Sequence, residues 1–216
     1  MGFFSKEEGR KERLIKMITE SQIHSHWLSN AYCKVASKTA KLFTKEALAS
    51  NMRGKGEREH TAEGDAEMGH CAMLACNRHL FGPMGYMQHM MSAHLGEMIP
   101  LKRIARETKY ISDDGEDVAF LPLDYKSSRR SSKAILDHYA IVNRREYHED
   151  TTYIFCIVEE RKPDGRMVNI CGWATSPEVF SWGPFVPPHP KLASFKDEYA
   201  TQIKNLNPVM PMPWKI

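Results

Sequence analysis

The sequence predicts an α+β protein. Helices come first, then one mixed sheet of about four or five strands, then a short helix and an irregular tail. Three observations predict this order. Across residues 5–48 and 61–81 apolar side chains recur at i, i+3 and i+4, the helical period. From residue 108 the period shortens to β-favouring runs. Within these, Tyr153-Ile154-Phe155-Cys156-Ile157-Val158 is apolar at every position, as a strand covered on both faces requires.

Each element has its own signal. Ser5-x-x-Glu8 is a capping box that opens a helix over 5–48. Leu14, Met17, Ile18, Ile23, Trp27 and Leu28 follow its period, with a break near His24–His26, and the second part runs from Ala31 to Ala49. Residues 50–60 are polar and Gly-containing, hence a loop or linker. Thr61 to Phe81 is the next helix, with Met68, Cys71, Ala72, Ala75, Cys76 and His79 on one face, and Gly82-Pro83 ends it. The stretch holding Met84, Met87, Met90, Met91 and Met98 reads as flexible core or a partner surface.

Lys109–Ile111, Val118–Phe120 and Leu123–Lys126 are short strand candidates, and Ala134–Val142 fits strand or helix. Pro163-Asp164-Gly165 is a hairpin turn after the buried strand, and Val168–Cys171 returns from it into Gly172-Trp173. Thr175-Ser176-Pro177-Glu178 starts a helix with proline in its first turn. Residues 183–190 and the tail with Pro208, Pro211 and Pro213 leave little regular structure. The expected organisation is a helical arm over 1–60, for dimerisation or DNA binding, and a core over 61–216 with a Pro-rich tail.

The composition, 42% hydrophobic and 26% charged over 216 residues, is that of a soluble globular chain. No run of roughly 18 apolar residues predicts a membrane span. The start, Met-Gly-Phe-Phe-Ser-Lys, turns polar at once and is no signal peptide, and Lys6 makes a poor myristoylation site. Cys33, Cys71, Cys76, Cys156 and Cys171 form an odd set without a C-x-x-C pair, which points to free core thiols in a reducing, cytoplasmic compartment. The net charge of +3 is uneven. Lys34, Lys38, Lys41, Lys45, Arg53, Lys55 and Arg58 form one basic segment; Arg129, Arg130 and Lys133 form another. A solvated helix face explains the first as well as a polyanion does. The second, beside a candidate metal site, favours a polyanion such as DNA.

That site is Asp117…Asp124-x-Lys126. Asp124 and Lys126 are two apart, so on a strand they share one face, and Asp117 can meet them from a neighbouring strand. Carboxylates and an ammonium converging on one point suit a divalent cation acting on a phosphodiester. Asp117 and Asp124 are the candidate metal ligands, with the Tyr125 carbonyl as a third. Lys126 would orient water or balance charge on phosphorus. Glu67, at the edge of the helix face, is a fourth candidate, and His70 lies one turn on. Asp113 and Asp114 compete with Asp117 as the first acid. No H-E-x-x-H, nucleophile elbow or Gly-rich phosphate loop is present. Trp173 and Trp182 read as core aromatics before base-stacking ones.

The series Gly64–Glu67, Asp114–Asp117, Asp124–Ser128, Tyr153–Val158 and Gly172–Thr175 resembles the PD-(D/E)XK nuclease superfamily, in particular its small phage-type, restriction-endonuclease-like members. The resemblance covers roughly residues 60–180. It implies a central mixed sheet flanked by helices and a Mg²⁺- or Mn²⁺-dependent DNA endonuclease of phage recombination, repair or host-DNA degradation, working in the host cytoplasm. Asp117, Asp124 and Lys126 would be the catalytic trio, Glu67 the helix acid, and Arg129, Arg130 and Lys133 DNA contacts. The interval from Asp117 to Asp124 is short for that family, and residues 1–60 match none of its parts. The competing expectation is a non-catalytic module that holds DNA or a host protein through the Met-rich stretch and the arm, as a monomer or a homodimer. A third is a protein in which Asp124 and Lys126 are a plain surface ion pair.

Overall fold

The computed structural model describes residues 23–49, 59–97, 99, 123–129 and 134–209. Strand β1 (His24–Ser29) leads directly into helix α1 (Asn30–Ala49). Helices α2 (Glu59–Phe81) and α3 (Pro83–Leu95) follow, then β2 (Leu123–Arg129), β3 (Tyr139–Val142), β4 (Thr152–Val158), β5 (Gly165–Thr175), α4 (Ser176–Ser181) and β6 (Tyr199–Gln202). Short 3₁₀ turns at Ile135–Asp137, Arg144–Glu146, Pro190–Phe195 and Ile203–Asn205 join the later elements. The fold is mixed α+β, as the period change at residue 108 predicts. Among the described residues no helix is long and apolar enough to cross a membrane.

The main sheet has four strands in the order β1-β5-β4-β2. β2 and β4 are parallel, while β4–β5 and β5–β1 are antiparallel. β4 is buried from Tyr153 to Val158, because both faces of the sheet are covered. On one face Ile154, Cys156, Val158, Val168 and Ile170 pack under Leu28, Cys33 and Ala36 and the α2 residues Met68, Cys71, Ala72, Leu74, Ala75 and Cys76. On the other, Tyr153, Phe155, Ile157, Cys171 and Ala174 pack under Ala140, Val142, Val179, Ile203 and Leu206. That second cover is α4 and a two-stranded β3–β6 ribbon. The molecule is therefore three layers deep around the β4–β5 hairpin.

Several local signals act as the sequence predicts. The turn at Pro163-Asp164-Gly165 closes the hairpin through Lys162 and Gly165, whose main-chain groups exchange hydrogen bonds of 2.7 and 3.2 Å. Thr175 and Glu178 form a capping box at α4, with proline in its first turn. All five cysteines are buried and free.

Two expectations are corrected. His24–Ser29, expected in a helix, is an edge strand paired with Gly165–Ile170 of β5. Its apolar residues match a helical period, but long-range pairing with the hairpin outweighs that local preference. Consequently residues 24–42 are no separate arm: Leu28, Cys33 and Ala36 belong to the central core. The Met-rich stretch after Gly82-Pro83, for which the sequence names no element, is helical, with Pro83 in its first turn and Gly96 as a left-handed C-cap. It buries Gly85 and His89 and leaves Met87 and Met90 exposed. The strand candidates Lys109–Ile111 and Val118–Phe120 lie outside the described residues.

Candidate functional site

β2 is the outer strand of the sheet, and alternation divides its side chains between two layers. Tyr125 sits opposite Ile154 and points to the helices. Its phenol donates a 2.6 Å hydrogen bond to Asn77 Oδ1 on α2. Burial, with Cys76 and Cys156 close by, pushes that phenol well above the usual tyrosine range. Tyr125 therefore offers chemistry through its main chain alone.

Asp124 and Lys126 face the opposite layer, paired in register with Tyr153 and Phe155. Lys126 Nζ lies 2.9 Å from Asp124 Oδ2. It also lies 5.9 Å from the centre of the Tyr153 ring. Tyr153 is fully buried, and its hydroxyl accepts a 2.7 Å bond from the His148 amide. Aromatic face and carboxylate thus hold the ammonium in one place from two sides. Both charged side chains stay partly open, at 31% and 18% exposure for Asp124 and Lys126. The pair can reach an outside ligand without unfolding anything.

Beyond Lys126 a cavity of about 600 Å³ opens between the second half of β2, the β3 region and residues 194–198. Lys126, Ser128, Arg129, Asn143, Phe195 and Glu198 are among its walls. Arg129, the last residue of β2, is exposed, and its Nε lies 3.3 Å from Met68 Sδ. Asn143 and Glu198, which no sequence motif marks, enter the wall because β3 and β6 pair across it. Asn143 Oδ1 accepts from the Arg145 amide at 2.8 Å, and Glu198 Oε2 from the Arg144 amide at 2.6 Å.

Glu67 is placed elsewhere. It sits on the helix-covered face, where Arg161 Nη1 approaches its Oε1 at 3.2 Å and Arg166 Nη1 at 3.9 Å. Arg161 also donates to Asn30 Oδ1, which ties this cluster to the start of α1. The neighbouring Met68 reaches Arg129, about 16 Å along β2 from Asp124 at the usual strand rise. Glu67 and Asp124 are therefore separated both by the sheet and along it. Helical periodicity puts Glu67 at the edge of an apolar face, but it does not say which end of a strand that edge overlies. The expectation that Glu67 joins Asp124 at a metal is corrected.

His70 is likewise absent from the Asp124 site. It is buried, with Nδ1 3.4 Å from His89 Nε2 on α3. Burial lowers its pKa to about 4, and burial with His70 nearby lowers that of His89 to about 3, so the pair is neutral near pH 7. Trp173 donates to the Pro208 carbonyl at 2.8 Å, and Trp182 packs on Phe155 with ring centres 5.8 Å apart, so both serve packing.

Asp117, with its competitors Asp113 and Asp114, and Arg130 and Lys133 lie outside the described residues. Of the first basic segment, Lys34, Lys38 and Lys41 project from the outer side of α1. Among the described residues no three His, Cys, Asp or Glu side chains are grouped to hold a metal ion. The oxygen donors of β2, one partly open carboxylate and strand carbonyls beside it, are of the hard type that Mg²⁺ takes while keeping most of its water. Compared with models of known families, with characterised proteins and with solved structures, the chain matches none.

Proposed function

We propose that this chain is a Mg²⁺- or Mn²⁺-dependent DNA endonuclease with a restriction-endonuclease-like core of the PD-(D/E)XK type. One observation carries the reading: Asp124 and Lys126 form a close pair on the outer strand of a mixed sheet, partly open and next to a cavity. Asp124, the Tyr125 carbonyl and Asp117 would hold the cation. The bound ion would supply Lewis acidity and a water nucleophilic near neutral pH.

The protein's own groups divide the remaining work. Lys126, fixed by Asp124 and the Tyr153 ring, presents a positive charge where the phosphoryl oxygens gain negative charge. Arg129, with Arg130 and Lys133 following it, neutralises flanking phosphates. The buried Tyr153 and Phe155 beneath the pair keep the acid and the ammonium on a rigid floor. Glu67 takes no part, because its carboxylate is held by Arg161 and Arg166 on the other side of the sheet.

The test is cleavage. Plasmid, single-stranded and branched DNA are incubated with the protein and Mg²⁺ or Mn²⁺, alongside Asp124→Ala. Wild type is expected to cut, and Asp124→Ala to fall by at least about a thousandfold, as loss of a main charge-bearing group does. A wild-type protein that cuts none of these substrates would falsify the assignment.

A second reading, a binding module on the same fold, is favoured by one observation: Met87, Met90 and Leu95 stand exposed on α3. Calorimetry with Mn²⁺ separates the two. Metal binding abolished by Asp117→Ala supports the enzyme. Salt-dependent DNA affinity without metal binding or turnover supports the module.

A further inference from the structure

We propose that His24, His26, Arg78 and His79, gathered where β1 meets the helices, form a binding site for a phosphate group. The site lies at the β1 edge of the sheet, whereas Asp124 lies at the β2 edge and on the other face. It therefore stands or falls independently of the nuclease reading.

Strand alternation builds the first half. His24 and His26 lie on the same side of β1 as Leu28, which packs with the helices. The ring of His24 has its centre 4.1 Å from that of His79 on α2 and 6.4 Å from that of His26. His26 Nε2 lies 2.7 Å from the Tyr86 hydroxyl on α3. Tyr86 stacks on Tyr32 of α1 with ring centres 4.3 Å apart, and the Arg78 guanidinium carbon lies 5.4 Å from the Tyr86 ring centre.

The charges available here are all of one sign. Three imidazoles and a guanidinium come together, and among the described residues none of the four has a carboxylate partner. Burial, then His24 and Arg78, holds His26 below the usual histidine range. Burial, then His24 and His26, does the same to His79. Tyr32 and Tyr86 are the other titratable groups, and burial with Tyr32 nearby keeps the Tyr86 phenol protonated. Potential cations that repel one another and lack a counter-charge are stabilised by an anion.

His79 supplies a second argument. Its Nε2 is closed to solvent and makes no hydrogen bond. Buried polar atoms without a partner are uncommon and costly. As an N–H this atom would donate to an oxyanion, which enters as the exposed His24 ring turns aside.

Phosphate suits these donors. It carries about two negative charges near neutral pH and accepts several hydrogen bonds, which a guanidinium fork and imidazole N–H groups supply. A transition metal also takes imidazoles, but Arg78 repels a cation. Among the described residues no three ligands are grouped to hold one. Two sources offer a phosphate group: a small phosphate, and the phosphorylated end of a DNA strand.

The test is calorimetry in low-salt buffer with EDTA, at about pH 6 and about pH 8, on either side of the histidine range. Sulfate, inorganic phosphate, and a short DNA strand with either a 5′-phosphate or a 5′-hydroxyl are titrated into the protein. Wild type, Arg78→Gln, His24→Ala and His79→Gln are compared, with melting curves to check folding. His94→Ala, exposed in the last turn of α3, is the control. Wild type is expected to bind sulfate and phosphate at one site with a Kd of about 1 mM or lower at the acidic pH. Sulfate keeps its charge throughout, so its several-fold weaker binding at the alkaline pH would report imidazoles that gain protons on binding. Arg78→Gln should weaken both anions about 10- to 100-fold, as loss of a charged donor does. His24→Ala and His79→Gln should weaken them several-fold and flatten the pH dependence, and His94→Ala should do neither.

A 5′-phosphate strand that binds tighter than its 5′-hydroxyl twin, and loses that advantage in Arg78→Gln, identifies a DNA end as the source. Twins of equal affinity beside saturable phosphate binding identify a small phosphate. No saturable binding of sulfate or phosphate up to about 10 mM at the acidic pH overturns the site. So does binding left unchanged by folded Arg78→Gln and His24→Ala. Zn²⁺ binding in EDTA-free buffer that His24→Ala abolishes, with no anion binding, overturns it in favour of a metal site.

Discussion

Lys126 is held by a carboxylate at 2.9 Å and an aromatic face at 5.9 Å, yet keeps some contact with solvent. As a stability element such a pair contributes only about 0–1 kcal/mol. Lys126→Ala is therefore expected to change the melting temperature little. On the proposed mechanism the same substitution should lower the DNA cleavage rate by about 10²- to 10³-fold, because the lost charge would act where the transition state gains it. A variant that melts like wild type and cuts like wild type would return the pair to the status of an ordinary surface contact. This much of the site was legible from the D-x-K spacing, because strand alternation puts residues two apart on one face. The direction of Glu67 was not legible: which end of a strand a helix residue overlies leaves no trace in local spacing.

The buried histidines give a second residue-level prediction. His70 and His89 have folded pKa values of about 4 and about 3, against about 6.5 when unfolded. The unfolded chain therefore takes up protons first as pH falls. The contribution of these groups is complete above about pH 6.5 and is lost progressively as pH falls from there through about 4 and about 3. Thermal melts should show stability falling across that window. A His70→Asn/His89→Gln variant should be less stable at pH 7 and show a shallower slope. His26 and His79 are lowered too, the first by burial with His24 and Arg78, the second by burial with His24 and His26, so some slope should remain. A wild-type melting temperature that is flat from pH 7 to pH 4.5 would contradict this.

At the scale of elements, β1 depends on one glycine. Gly165 has φ +152°, and a Cβ there would meet the Leu28 carbonyl oxygen at 2.1 Å. Only glycine lets the hairpin turn run this close to the edge strand. Gly165→Ala must shift β1 or open the turn, and should cost about 3 kcal/mol or more in chemical denaturation. A cost under about 1 kcal/mol would mean that β1 is less tightly built onto β5 than its register indicates. β1 also shows why part of the fold was hidden. Trp27 and Leu28 satisfy a helical period with Ile23, and only the partner strand far along the chain decides otherwise. β4 was legible for the opposite reason: six apolar residues in a row leave no polar face for a surface helix. The capping box at Thr175 and the turn at Gly165 were legible because each is written in adjacent residues. β3 was half legible, since Ala134–Val142 fits strand or helix, and β6 was not: the two are short strands that stabilise one another across the chain.

The whole molecule has two faces with different tasks. The helix-covered face holds the cysteines Cys33, Cys71, Cys76 and Cys156 and the Glu67–Arg161–Arg166 cluster, and it binds the N-terminal elements to the sheet. The ribbon-covered face carries Asp124 and Lys126, and the cavity opens beside them at the outer edge of the sheet. The nuclease centre proposed on the second face would distinguish sharply between two acids that the sequence alone treats as partners. The direct measurement is the initial rate of plasmid cleavage in Mg²⁺ for wild type, Asp124→Asn and Glu67→Gln, each normalised to folded protein. Asp124→Asn is expected to be inactive with an unchanged melting temperature, and Glu67→Gln to cut within a few-fold of wild type even if it melts earlier. An active Asp124→Asn, or a folded Glu67→Gln as dead as the Asp124 variant is expected to be, would contradict the placement of the active site on β2.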